Sequence, residues 1–123
     1  MSDTVRTFRK LAQANCLANA RLHRACAGLD PTELTVARPA FFGSIQKTLN
    51  HILMVDRFYL NALLGRPLDR GFLDEATFCP DLPTLVAWQG GCDLDLLAHV
   101  ERLTPELLVQ VIPVDRGERV QHD

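Results

Sequence analysis

The chain has 123 residues, enough for one compact core and too few for two. Hydrophobic residues make up 47% and charged residues 23%, with 13 Lys and Arg against 15 Asp and Glu and a formal net charge of -2. That spread of charge excludes a basic nucleic-acid-binding surface, and no run approaches the about 18 apolar residues of a membrane span.

The N-terminus runs from Met1-Ser2-Asp3 straight into a charged amphipathic pattern without the apolar centre of an export signal, so the expected compartment is the cytoplasm. Four cysteines, Cys16, Cys26, Cys79 and Cys92, lie far apart and form no Cys-x-x-Cys pair. They read as small core hydrophobes.

Between Thr4 and Gly28 the residues Phe8, Leu11, Asn15, Ala18, Leu22, Ala25 and Leu29 recur at alternating three- and four-residue steps. This spacing predicts a long helix with that stripe facing the core. Asn15 interrupts the stripe and Asn19 follows one turn later, so both need hydrogen-bond partners. Gly28 ends the helix. Asp30-Pro31-Thr32-Glu33 then opens a short turn, with Asp30 as cap and proline in the first helical position.

Val36 to Pro39 is expected to be extended, since a residue before proline leaves helical geometry. Ser44 is the expected cap of a second long helix from about Ile45 to Leu64, closed by Gly65-Arg66-Pro67. Gln46, Asn50, Arg57 and Asn61 form its expected wet side. Leu68 to Pro80 reads as a loop over the end of the bundle.

A third helix is expected after Asp81, with Leu85, Trp88, Cys92, Leu96, Val100 and Leu103 as its apolar seam. Gly90-Gly91 should weaken it by roughly 2 kcal/mol relative to alanine, and predicts a kink or a close helix contact near Trp88. Leu103-Thr104-Pro105-Glu106-Leu107 then echoes Leu29-Asp30-Pro31-Thr32-Glu33-Leu34. An extended stretch from Val109 to Val120 follows, with a turn at Asp115-Arg116-Gly117, and by analogy with the first half it should lead into a fourth long helix.

His51 lies at the shoulder of the apolar face of the second helix, sharing a side with Thr48, Val55 and Phe58. An imidazole there can turn one nitrogen into a pocket and hold the other by a hydrogen bond, as a metal ligand requires. Taken alone, a histidine in such a place is more often a satisfied core residue. The surrounding text is more specific. Phe41-Phe42-Gly43-Ser44-Ile45, then Thr48-Leu49-Asn50-His51-Ile52-Leu53, then Asp56-Arg57-Phe58-Tyr59-Leu60 resembles the most recognisable segment of the DinB/YfiT-like family. The Ala14-Asn15 and Ala18-Asn19 steps are similar to that family too.

The resemblance spans about Phe8 to Val120 and is specific only between Gly43 and Tyr59. It implies an all-α, up-and-down four-helix bundle with a divalent-metal site, zinc or nickel, in which His51 is one ligand and a His-x-x-x-His pair on the last helix supplies two more. It also implies metal-dependent hydrolysis or transfer chemistry on low-molecular-weight thiols. No His-x-x-x-His pair occurs in this sequence, so residues 1–123 read as a single DinB-like domain that is C-terminally incomplete or borrows a partner's helix. Catalytic zinc-type sites use three protein ligands, and His51 is one.

His99 lies beside the third seam, His23 between Arg21 and Arg24 reads as solvated, and His122 is nearly terminal; none matches a family ligand. Asp56 is a candidate for supporting the metal site or even binding the metal, with a salt bridge to Arg24 or Arg57 as the plainer alternative. Asn15 and Asn19 either line a pocket or hydrogen-bond across the bundle and fix its register. The competing function is a non-catalytic helical module whose open apolar groove is covered by a partner, with a homodimer as the expected form and neither nucleic acid nor membrane as a partner.

Overall fold

A helix exposes backbone N–H groups at its start, and this chain meets them with side-chain oxygens at all five starts among the described residues. The computed structural model describes residues 2–67 and 79–123. Ser2 accepts from Val5 N and opens α1, Asp3–Ala27, and Asp30 accepts from Thr32 N and opens the short α2, Pro31–Thr35. Ser44 accepts from Lys47 N at the head of α3, Ile45–Leu63, and Asp81 from Thr84 N at the head of α4, Leu82–Glu101. Thr104 does the same for α5, Pro105–Leu108. The caps expected at Asp30 and Ser44 are present, α4 starts after Asp81 as expected, and the echo after α4 is real: α2 and α5 are both proline-led turns that follow a long helix.

The chain leaves α3 through Gly65 at φ +70°, a left-handed conformation that lets the Arg66 N–H reach back to the Asn61 carbonyl at 2.8 Å. After α5 the extended stretch forms a two-stranded antiparallel hairpin, β1 Pro113–Asp115 and β2 Val120–His122, with Val114 opposite Gln121. Gly117, at φ +87°, makes its turn as expected. Of the expected loop from Leu68 to Pro80, residues 68–78 lie outside the described residues.

Both other long helices pack on α4; α2 and the hairpin pack on α3, and α5 packs on α1. Arg9, near the start of α1, donates to the Val100 and Glu101 carbonyls at the end of α4, so these two helices are antiparallel. Gln46 donates to the Pro80 carbonyl just before α4 and Arg66 pairs with Asp95, so α3 and α4 run side by side in one direction. The fold is all-α, as expected, with the small hairpin as its only strands among the described residues. No helix among those residues is long and apolar enough to cross a membrane.

The core is built from Cys26, Leu34, Leu49, Leu53, Leu60, Cys79, Leu85 and Cys92, so three of the four cysteines are the buried small hydrophobes the sequence suggested. All four are free thiols.

Several expected faces are turned. The residues of α1 that are buried are Val5, Ala12, Asn19, His23 and Cys26, whereas the expected core stripe stands out: Phe8 is 44% exposed, Leu11 58%, Leu22 42% and Leu29 40%. Polar anchoring decides the matter, because Asn19 bonds to α4 and Arg9 caps it, and these bonds fix the rotation of α1. In α4 the seam position expected for Trp88 is taken by Gln89, and Trp88 is 43% exposed beneath the Arg57 guanidinium. Asn50, expected on the wet side of α3, is buried. Its amide pairs with both the N–H and the carbonyl of Cys79, at 2.8 and 3.2 Å, as a neighbouring strand would.

Helix α4 continues unbroken through Gly90-Gly91, and a Cβ at either position would meet nothing within 4 Å, so no close contact requires them. Gly91→Ala is therefore expected to raise stability by about 0.5–1 kcal/mol, measured as a shift in the urea midpoint at unchanged slope.

Candidate functional site

His51 is half-buried on α3, and what holds its ring is an aromatic face rather than a carboxylate. It stacks on Phe42 with centroids 4.2 Å apart and planes at 26°, and Phe42 in turn meets the edge of Phe41. Among the described residues no three of His, Cys, Asp and Glu come together in a way that could hold a metal ion. The described donors beside His51 thus do not by themselves make up a zinc or nickel centre, which needs three protein ligands and oriented ring nitrogens.

The polar chemistry of the bundle gathers elsewhere, around Asp93. This side chain is 4% exposed and lies where α1 and α4 meet. It accepts from Asn15 Nδ2 at 3.3 Å, from Asn19 Nδ2 at 3.2 and 3.0 Å, and from Gln89 Nε2 at 3.1 Å. Gln89 Nε2 also donates to Asp56 Oδ2 of α3 at 2.9 Å, so one amide ties the third helix to the same network. The two asparagines that break the α1 stripe hydrogen-bond across the bundle, and their partner is a buried acid one residue beyond the expected seam.

Burial raises the Asp56 carboxyl above the usual carboxylate range; the Gln89 hydrogen bond works against this and the Asp93 charge adds to it. Among the described residues Asp56 is held by Gln89, not by Arg24 or Arg57. Burial pushes the Cys92 thiol up to about 12, and Asp56 and Asp93 reinforce the effect, so this cysteine is no thiolate nucleophile at neutral pH.

His23, expected in solvent, is buried beside Asp93, and burial holds its pKa below the usual imidazole value against the pull of that acid. The basic residues flanking it in sequence point out because a helix turns about 100° per residue. His99 is half-buried on α4 and His122 exposed in β2; neither joins His51 in a cluster.

Two cavities flank Asp93. One, of about 330 Å³, lies between α1 and α4 and is lined by Cys16, His23, Arg24, Val86, Gly90 and Asp93. The other, of about 120 Å³, lies between α3 and α4 against Asp56, Tyr59, Cys92, Asp93 and Leu96. Gln89 and Asp93 were missed in the sequence although one signal was available: they stand four residues apart on the seam side of α4, the spacing that stacks side chains on one helix face.

No curated protein and no solved structure matches the chain. The family model described as the DinB superfamily matches residues 17–120, which takes in Asn19, His51, Asp56, Gln89 and Asp93 together with every helix after the first half of α1. The match covers most of the chain and agrees with its helical architecture, and the chain belongs to the DinB superfamily.

Proposed function

We propose that the chain works as a DinB-fold helical module that pairs with a second copy of itself through the outer face of α1. The observation that carries this is the exposed stripe Phe8, Leu11, Leu22 and Leu29. Ala14, Ala18 and Ala25 lie between these residues, and the stripe contains no charge, which is the composition of an interface centre. A two-fold antiparallel pairing sets Leu11 of one copy against Leu22 of the other, Asn15 against Ala18, and Phe8 against Ala25, so large residues meet small ones.

A second reading is favoured by family membership and by the position of His51 inside the family-like segment. It is divalent-metal-dependent hydrolysis or thiol transfer with zinc or nickel on His51, the other ligands coming from outside the described residues.

The experiment is light scattering of the eluting protein across a dilution series, with elemental mass spectrometry on the same sample. A metal-poor dimer is expected, and Leu11→Asp with Leu22→Asp should weaken association about a hundredfold or more while the helical spectrum persists. A monomeric wild type would sink the pairing. Stoichiometric metal that disappears in His51→Ala would favour the second reading.

A further inference from the structure

Gln89 is 1% exposed, and its side-chain amide is used on one side only. Nε2 donates to Asp56 Oδ2 and Asp93 Oδ1, while Oε1 is buried with no hydrogen-bond partner. A buried amide oxygen without a donor loses its hydration with nothing in return, so one missing donor is the feature to explain. Charge is missing too. Among the described residues neither Asp56 nor Asp93 forms an ion pair, although a single amide group touches both. Two carboxylates this close in a low-dielectric interior do not both stay ionised without a counter-charge.

We propose that Asp56 keeps its proton and joins Gln89 in an acid–amide ring, Asp56 Oδ1–H donating to Gln89 Oε1 while Gln89 Nε2 donates to Asp56 Oδ2, which makes this junction of α3 and α4 a proton-binding site. One proton supplies both missing elements: it gives Gln89 Oε1 a donor and removes one of the two negative charges. Asp93 is the member that stays an acceptor, because Asn15, Asn19 and Gln89 all turn N–H groups toward it. The burial that raises the Asp56 pKa acts in the same direction.

The ionisable groups around this junction come from every packed element. They are Asp93 and Cys92 on α4 with Asp95 one turn along, Arg57 and Tyr59 on α3, His23 on α1 beside Asp93, and Arg116 of the hairpin, which donates to Tyr59 Oη. The 120 Å³ cavity against Asp56 gives the proton a way in and out without unfolding. Because the native carboxyl binds its proton more tightly than the unfolded chain does, the folded state holds an extra proton between the two pKa values. Stability therefore falls as pH rises through that window, opposite to the behaviour of an ion-paired carboxylate whose pKa is depressed.

The test is a carboxyl-carbon NMR titration of the wild-type protein, paired with thermal melts of wild type and Asp56→Asn at pH 4 and pH 8. Asparagine reproduces the protonated acid, with an N–H for Gln89 Oε1 and an oxygen for Gln89 Nε2. The Asp56 resonance is expected to titrate above the ordinary carboxylate range. Asp56→Asn should melt higher than wild type at pH 8 and about equally at pH 4. An Asp56 midpoint at or below the ordinary value would overturn the proposal, as would a lower melting temperature for Asp56→Asn at pH 8. A midpoint that drops when magnesium or manganese is added would also overturn it, by showing that a cation rather than a proton fills the gap.

Discussion

Asp93→Ala is expected to cost about 3–5 kcal/mol, the largest loss of any single polar substitution among the described residues. The alanine removes the acceptor shared by Asn15, Asn19 and Gln89 and leaves Asn19 and one Gln89 N–H without their buried acceptor. Each orphaned buried donor costs about 1–3 kcal/mol, and partial rearrangement keeps the total below the simple sum. A domain of this size has only about 5–15 kcal/mol to lose, so the variant should be unfolded in a sizeable fraction at 37 °C.

Urea denaturation followed by circular dichroism checks this, and a double substitution separates polar mismatch from lost packing. Asn19→Leu in the Asp93→Ala background removes one stranded donor and fills space. The double variant should therefore recover part of the loss, which a simple packing defect would not do. If Asp93→Ala lies within 1 kcal/mol of wild type, the network does not hold α1, α3 and α4 together.

The elements of this fold were legible in the sequence because they are announced locally. Asp30, Ser44 and Asp81 each precede a proline or an apolar period, and the helices start where the text places them, with the caps at Asp30 and Ser44 as expected. Gly65 and Gly117 mark turns for the same local reason. What was not legible is which way each helix faces. Helix α1 carries two stripes, an outer one with Phe8, Leu11 and Leu22 and an inner one with Val5, Ala12, Asn19 and His23, and the apolar content favours the outer.

The inner stripe wins because Asp93 and the end of α4 supply partners for Asn19 and Arg9, and such partners are 74 to 92 residues distant in the chain. Periodicity measures one helix at a time and cannot see them. The site follows the same division. The place of His51 on α3 was legible, but the groups that would complete a metal centre are not brought to it among the described residues. Asp93 and Gln89 share a face of α4 by their spacing, but that spacing alone does not say the face is buried, because the partners that hold them lie across the bundle.

The seam of α4 offers a direct measure of that difference. In sequence Leu85 and Trp88 are equal members of one apolar stripe, and Trp88, with the larger side chain, would be expected to matter more. The structure reverses the order. Leu85 is 0% exposed in the cluster with Leu49, Leu53, Leu60 and Cys92, and Leu85→Ala leaves a cavity that its neighbours close only in part. The expected cost is about 2–5 kcal/mol. Trp88 lies on the outer side with the Arg57 guanidinium 5.6 Å from its ring, and Trp88→Ala gives up a partly solvated contact of about 0.5–1 kcal/mol plus the covered part of the indole. Urea midpoints of the two variants should thus differ with Leu85→Ala the lower. An equal or larger loss at Trp88 would mean that the tryptophan face is covered in solution.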